Sequence, residues 1–303
     1  MNQSIPEGSL WQAILATTDH ALRGGALQPI ETEPAFVEQR GLRFVVRVAS
    51  SLRRKAEEQR PRRGQVRASG QELSPFLPPE ADLTIGPVGD RHIAVLNKFN
   101  VVEHHLLIVT RQFEDQDALL NEEDFLALWL CLREFDSLGF YNGGAAAGAS
   151  QKHKHLQLVP LPMVREGPSI PIDPVLPMAA AGRLCRIPAF PFAHVFARLP
   201  QGLAVDPQQA AWVTRAHYQR MLVAMDIGTV LSHPEPRHAV PYNLLLTREW
   251  MLLVPRSAEF AEGVSVNALA YAGSLFVRTG EQLELVRRLG PLHFLSAVGR
   301  PHA

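Results

Sequence analysis

The sequence is poor in cysteine and lacks any long uninterrupted apolar run. Cys131 and Cys185 are its two cysteines, too few for a disulfide framework or a four-thiolate zinc site. The longest apolar stretches are too short to cross a bilayer, and the first residues have neither the basic start nor the apolar core of a signal peptide. We therefore expect a protein of the reducing cytoplasm that does not enter a membrane.

The sequence also lacks an excess of either charge. Lysine and arginine together number 30, as do aspartate and glutamate together, so the formal net charge is zero. A neutral protein has no overall field that attracts nucleic acid or an anionic membrane, so any anion must be bound by local groups. With 46% hydrophobic and 20% charged residues over 303 positions, the chain is expected to form one large or two medium globular domains.

The most informative segment, residues 142–162, contains a His-x-His-x-Gln run after a stretch of small residues. An extended strand over 152–159 would place His153, His155 and Gln157 on one face, because successive side chains of a strand alternate. The sequence thus predicts a row of imidazole and amide groups along one strand.

The residues directly before this row suit a phosphate ligand. Gly143, Gly144 and Gly148 let the backbone approach a ligand closely, and Ser150 and Gln151 add short hydrogen-bonding side chains. An imidazole with a pKa of about 6.5 is largely neutral at cellular pH and can attack phosphorus. The resulting P–N intermediate retains much of the energy of a phosphoanhydride, so it can pass a nucleotide to a second phosphate.

Two other interpretations of the histidine pair are open at this stage. A His-x-His strand also occurs in metal sites, which would need a third ligand such as His104, His105 or a carboxylate. The pair could also be purely structural. The glycine-rich segment before the pair and Gln157 after it favour phosphate chemistry.

The run Gly-Ala-Ser-Gln-Lys-His-Lys-His-Leu-Gln at 148–157 resembles the active-site signature of the diadenosine tetraphosphate phosphorylases (ATP adenylyltransferases), a branch of the histidine triad superfamily. The resemblance implies that His155 is the nucleophile and His153 its supporting partner. The third position is Gln157, as in the transferase branches, whereas the hydrolase branches have histidine there. The resemblance therefore implies transfer to phosphate in preference to water.

Other segments between about Arg43 and Leu295 resemble the same family. They include Ser-Pro-Phe-Leu-Pro-Pro at 74–79, where Ser74 stands in place of the usual asparagine, and a Leu-Asn-Lys-Phe turn at 96–99. From these matches and from the glycine-rich segment we expect the substrate to be bound by Lys55, Asn97, Lys98, Asn142, Gly148, Ser150, Gln151, Arg256 and Asn267.

The order of predicted elements favours an α+β protein with antiparallel sheets and packed helices, a histidine-triad-like fold. A hairpin at 91–110, a helix after Asn121 and a strand pair at 142–159 form the first half. A second hairpin at 242–256 echoes the first one, which predicts a degenerate internal duplication. We place the catalytic half at 1–165, a proline-rich connection at 166–189 and a carboxy-terminal half that completes the pocket at 190–303.

The sequence thus predicts a dinucleoside polyphosphate phosphorylase that acts on nucleotides and inorganic phosphate. One alternative is a sugar-1-phosphate nucleotidylyltransferase of the galactose-1-phosphate uridylyltransferase type, although that family normally has proline between the histidines, where Lys154 stands here. Another is a non-catalytic nucleotide sensor. We expect no covalent cofactor and no protein-built metal site; Mg²⁺ could arrive with the polyphosphate. The oligomeric state is left open.

Overall fold

The computed structural model describes residues 5–49, 74–231 and 236–302. Within them a nine-stranded sheet crosses the molecule, and every neighbouring pair of its strands is antiparallel. In spatial order the strands are β3 (Thr84–Val88), β4 (His92–Leu96), β5 (Leu106–Thr110), β7 (His155–Pro160), β6 (Ser137–Gly143), β12 (Tyr242–Leu246), β13 (Trp250–Pro255), β9 (Val195–Arg198) and β8 (Leu184–Cys185).

Smaller sheets and helices cover the faces of this sheet. The remaining strands are β1 (Thr32–Gln39), β2 (Leu42–Ala49), β10 (Thr229–Val230), β11 (Arg237–His238), β14 (Phe260–Ala261), β15 (Val264–Ser265) and β16 (Ser274–Val277). The helices are α1 (Leu10–Arg23), α2 (Glu122–Leu132), α3 (Pro207–Ala224), α4 (Ala268–Tyr271), α5 (Gly280–Leu289) and α6 (Pro291–Val298). The α+β prediction is confirmed. None of these helices in the described ranges has the length and apolar character needed to span a membrane.

The sheet is buried on both faces, which explains the continuous apolar runs of its central strands. Along β12, Leu244 and Leu246 join the hydrophobic cluster that contains α1, α2 and α3, whereas Leu245 joins a second cluster formed with β2, β16 and α6. Because side chains alternate along a strand, a strand between two cores must be apolar at every position.

Helix α2 begins where the sequence predicted. The Oδ1 atom of Asn121 accepts from the backbone N–H of Asp124 at 3.1 Å, and a carboxylate oxygen of Asp124 accepts from the backbone N–H of Asn121 at 2.9 Å. This reciprocal cap satisfies backbone donors that the first turn leaves free. Farther along, the Trp129 indole N–H donates to Thr214 Oγ1 at 3.1 Å and joins α2 to α3.

The sheet contains an approximate internal repeat about its centre. Outward from the β6–β12 contact, one half runs β6, β7, β5, β4 and the other β12, β13, β9, β8. Each half also follows the chain order hairpin, helix, strand pair, with α2 in one half and α3 in the other. The expected match between the hairpin at 242–256 and the hairpin at 91–110 is wrong, because β12–β13 takes the place of β6–β7 and β8–β9 is the equivalent of β4–β5.

The two halves share their cores. The first cluster includes both Leu10 and Leu253, and the second includes both Phe44 and Phe294. The boundary at 166–189 stays a prediction, but the main sheet is continuous across the two halves.

Candidate active site

The predicted row lies at the centre of the first half of the sheet. Strand β7 begins at His155, three residues later than the expected strand at Lys152, and pairs with β5 on one side and β6 on the other. His153 precedes the strand in an isolated bridge to Asp115. Two-sided pairing fixes the backbone, so the position of the His155 side chain is set by rigid elements and not by a loop.

His155 is held with one ring nitrogen bound and the other available. Its Nδ1–H donates to the backbone carbonyl of His153 at 2.8 Å, and a carbonyl can only accept, so the proton is on Nδ1. The described residues provide no hydrogen-bond partner for Nε2, and the residue is 3% exposed. Burial lowers the pKa of His155 to about 4, against the opposing effect of the bond to the His153 carbonyl. The ring is therefore neutral at cellular pH, with a lone pair on Nε2.

His153 is fixed by bonds to both of its ring nitrogens. Its Nε2–H donates to the Thr110 carbonyl at 2.8 Å, with Thr110 Oγ1 at 3.0 Å, so Nδ1 is the acceptor in the neutral ring. The Ser74 hydroxyl donates to this Nδ1 at 2.6 Å and accepts from the Phe76 N–H at 3.2 Å. Burial lowers the pKa of His153. Ser74 thus contacts the predicted row directly.

Gln157 is oriented by a relay from the β4–β5 hairpin. The Asn97 amide Nδ2–H donates to Nδ1 of His105 at 3.1 Å, and the His105 Nε2–H donates to Oε1 of Gln157 at 2.9 Å. Because the Gln157 oxygen is bound to His105, its NH₂ group is the end left for a ligand. Burial lowers the pKa of His105 to about 4, so this histidine stays neutral. The sequence had placed Asn97 at the substrate; the structure shows it bound to His105.

The sequence reasoning missed Gln116, which fixes the backbone of the row. Its Oε1 accepts from the His155 N–H at 2.9 Å, and its Nε2 donates to the Asn142 carbonyl at 2.8 Å. Gln116 lies 39 positions before His155, in a polar stretch with no periodic pattern. No local sequence signal could have paired the two.

Lys154 anchors the motif from the opposite side of the sheet. Its Nζ lies 2.6 Å from Oδ2 of Asp124 and 3.2 Å from Oε2 of Glu114, and it donates to the Leu119 carbonyl at 3.1 Å. Burial by itself would raise the pKa of Asp124, but Lys154 and the bond from His92 hold it below its ordinary value. A proline at this position, as in the galactose-1-phosphate uridylyltransferase type, could not form these bonds.

The glycine-rich segment forms a turn next to the row. Gly144 and Gly148 have φ values of 90° and 89° around a short 3₁₀ turn, a region that favours glycine. A Cβ on Gly148 would lie 2.9 Å from Cβ of Asn267, so the second half packs directly on this turn. Among the described residues, Ser150 and Gln151 have no protein hydrogen-bond partner and are available to a ligand.

The Arg256 side chain is buried and binds other parts of the protein. It is 1% exposed, and its guanidinium donates to Asn243 Oδ1 at 2.5 Å and to three backbone carbonyls, at Val298, Ala258 and Val266. These contacts, with a longer one to the Ala147 carbonyl, occupy its donors. The predicted contact between Arg256 and a nucleotide is therefore replaced by a role in joining β12 and β13 to the carboxy-terminal segment.

The other predicted binding residues are dispersed. Oδ1 of Asn142 accepts from Asn243 Nδ2 at 2.9 Å and from the Ala268 N–H at 3.0 Å, and Asn267 caps α4. The Lys98 ammonium pairs with Glu80 at 2.7 Å. Lys55 lies outside the described residues. The structure thus groups His153, His155 and Gln157 with the 143–151 turn, and gives Asn142, Arg256 and Asn267 supporting positions behind it.

Comparisons with known proteins match both halves of the chain. A family model described as the Ap4A phosphorylase N-terminal domain matches residues 1–178, and one described as the ATP adenylyltransferase C-terminal domain matches residues 188–301. Diadenosine 5',5'''-P1,P4-tetraphosphate phosphorylase 2 of Saccharomyces cerevisiae is 32% identical over 238 residues, which cover 69% of this chain and 70% of the relative.

Two crystal structures of one yeast protein are also similar over the whole chain. That of yeast Ap4A phosphorylase Apa2 has a TM-score of 0.75 at 27% identity and covers 100% of this chain and 97% of its own. That of Apa2 in complex with AMP has a TM-score of 0.77 at 25% identity and covers both chains completely.

Proposed function

Because the chain belongs to the Ap4A phosphorylase (ATP adenylyltransferase) family, we propose that it cleaves diadenosine tetraphosphate with inorganic phosphate to ATP and ADP, through an adenylyl group held covalently on His155. It is a nucleotidyltransferase, and the reaction is reversible. The observation that carries the covalent step is the state of His155: Nδ1–H is bound to the His153 carbonyl, and Nε2 is neutral and free of described partners.

The first step forms one P–N bond and breaks one P–O bond. Nε2 of His155 attacks an α-phosphorus, the bond to the bridging oxygen of the β-phosphate breaks, and ATP leaves with that oxygen. The imidazole becomes positively charged as it attacks, which strengthens the Nδ1–H bond to the His153 carbonyl. The product of this step is the enzyme with AMP covalently bound to His155.

The second step reverses this bond exchange with a different oxygen nucleophile. An oxygen of inorganic phosphate attacks the same phosphorus, the P–N bond breaks, and ADP leaves while His155 regains its lone pair. Transfer of this kind depends mainly on positioning and on donors directed at the phosphoryl oxygens. The Gln157 NH₂ group, oriented by His105, and the side chains of Ser150 and Gln151 supply such donors.

A divalent cation enters this proposal only with the substrate. In the described residues, no cluster of three or more histidine, cysteine, aspartate or glutamate side chains is arranged to hold a metal ion. Mg²⁺ is commonly bound through substrate phosphates and water, so the polyphosphate itself would supply most of its ligands.

We also propose that the protein is located in the cytoplasm.

The covalent step can be tested with diadenosine tetraphosphate labelled at the α-phosphates. Without phosphate, the protein should acquire an acid-labile label, and adding phosphate should release it as ADP. The His155→Gly variant should acquire none, while calorimetry still detects substrate binding. His302→Gln, at an exposed histidine near the end of the chain, is the matched control and should behave as the parent protein.

Other outcomes of this experiment would reject the proposal. Turnover at the parent rate in His155→Gly would remove His155 as nucleophile. Label that is discharged to a sugar phosphate and not to inorganic phosphate would favour the galactose-1-phosphate uridylyltransferase type. Binding without label or turnover in the parent protein would favour a nucleotide sensor.

A further inference from the structure

Phe113 is a large aromatic side chain that lies against the catalytic row and yet remains largely in solvent. Its ring centroid is 5.4 Å from that of His153, and 55% of the residue is exposed. Another aromatic ring against His153, that of Phe76 at 5.7 Å, is buried. A single exposed phenylalanine is ordinary on a protein surface, so its meaning depends on how it is held and on what lies next to it.

The backbone around Phe113 is fixed to the motif. The Gln112 carbonyl lies 3.2 Å from Nε2 of His153, and the Glu114 carbonyl accepts from the Lys154 N–H at 2.8 Å. The Glu114 side chain meets the buried Nζ of Lys154 on the far side. Since successive side chains of an extended segment alternate, Phe113 is directed to the face that carries His153. Its ring is therefore a preorganised apolar surface.

Among the described residues, the two ends of the row differ in what lies next to them. At the Gln157 end, a chain of hydrogen bonds runs to His105 and Asn97. At the other end His153 is buried, but the Phe113 ring beside it extends into solvent. A nucleoside that stays attached to His155 through its α-phosphate between the two steps suits the hydrogen-bonded Gln157 end. The departing polyphosphate, which is longer and must dissociate, suits the solvent-exposed ring of Phe113.

We propose that Phe113 stacks on the nucleobase of the departing nucleotide and so selects dinucleoside polyphosphates over mononucleoside polyphosphates of the same length. The inference rests on the proposed function and adds a second base site to it. Every nucleobase has a π-face, so stacking on an aromatic ring is tolerant of base identity. From the usual strength of such stacking, removing the ring should weaken dinucleotide use about 5- to 100-fold.

The test compares two substrates on the same protein preparation. Diadenosine tetraphosphate and adenosine 5'-tetraphosphate share the reacting phosphorus and differ in the second nucleoside. In Phe113→Ala, the ratio of their kcat/KM values should fall about 5- to 100-fold, mainly through the KM of the dinucleotide, and Phe113→Trp should restore it. Phe260→Ala removes a phenylalanine of equal exposure, 56%, from the β14–β15 hairpin and should leave the ratio unchanged.

A direct binding measurement complements the kinetics. In a His155→Gly background, which cannot turn over, the added indole of Phe113→Trp should be quenched by diadenosine tetraphosphate more strongly than by adenosine 5'-tetraphosphate. An unchanged kinetic ratio in Phe113→Ala, or equal quenching by both ligands, would overturn the inference. Failure of the parent protein to form ATP and ADP would instead reject the proposed function, so the two failures are distinguishable.

Discussion

The two halves of the central sheet have the same strand order, but the first contains the proposed active site and the second a set of polar groups bound within the protein. In the first half, residues 144–154 separate β6 from β7 and contain the glycine turn and His153. In the second half, only residues 247–249 separate β12 from β13, and Oγ1 of Thr247 caps that tight turn by accepting from the Trp250 N–H at 3.2 Å. The additional residues of the first half form the segment to which we assign the phosphates of the substrate in the proposed function.

Each half has a histidine directly before an equivalent strand, and these two histidines differ in the same way. His105 precedes β5 and donates to Gln157, a side chain of the proposed active site. His194 precedes β9, accepts from the Ile187 N–H at 2.7 Å and donates to the Phe192 carbonyl at 2.7 Å. Burial lowers the pKa of each to about 4. The two histidines have similar environments and differ in what they bind.

The shared strand order of the two halves does not by itself create a site. In the first half, His155 Nε2 and the Gln157 NH₂ group make no hydrogen bond to another residue of the described ranges. The second half uses its polar groups within the protein, as Arg256 does. Substitutions should therefore affect activity in the first half and stability in the second.

Arg256→Met should produce the largest change in stability. It leaves Asn243 Oδ1 and the buried carbonyls bound by the guanidinium without a donor, and we expect a loss of about 3 kcal/mol in the free energy of unfolding. Urea unfolding measures this loss. Arg287→Met, at an exposed arginine paired with Glu284, is the control and should change stability by less than about 0.5 kcal/mol. Equal effects of the two substitutions would contradict the role of Arg256.

Substitution of the two equivalent histidines, His105 and His194, should have effects of intermediate size. His105→Leu releases the Gln157 amide and should lower kcat/KM by about tenfold, the value of one hydrogen bond of ~1.4 kcal/mol. His194→Leu should keep most of the activity and lower the free energy of unfolding by about 1–3 kcal/mol, because two buried backbone groups lose their partners. Both kcat/KM and the free energy of unfolding should be measured for both variants. If the two variants lose activity and stability in the same proportion, the proposed difference between the two halves is refuted.

Ser74→Ala should have the smallest effect, confined to the first half. Loss of the hydroxyl that donates to Nδ1 of His153 should lower kcat by about 3- to 10-fold with little change in KM, because the His153 ring is less firmly held. Ser74→Asn should restore most of the rate, since an amide N–H can donate to the same nitrogen. Steady-state kinetics distinguish these outcomes, and an asparagine variant as slow as the alanine variant would exclude this positioning role.

Local patterns account for what could be predicted from the sequence. Strand alternation placed His153, His155 and Gln157 together, and the cap at Asn121 placed the start of α2. The match of the 242–256 hairpin to the wrong part of the first half has a local cause as well, because β12–β13 and β4–β5 both appear in the sequence as two apolar strands with a polar segment between them. The loop at 144–154 hides the similarity of β6–β7 to its true counterpart.

The sequence by itself predicted that His153, His155 and Gln157 share one face, because those residues are close together and follow the period of a strand; the choice of His155 as the proposed nucleophile came from the family resemblance. Only the tertiary structure decided how the His153 ring and the His155 backbone are held, which end of the Gln157 amide faces outward, and that Arg256 is a support. Those properties depend on Ser74, His105, Gln116 and Asn243, whose partners are 13 to 101 residues away along the chain. Such pairs are selected by packing, and no local pattern encodes them.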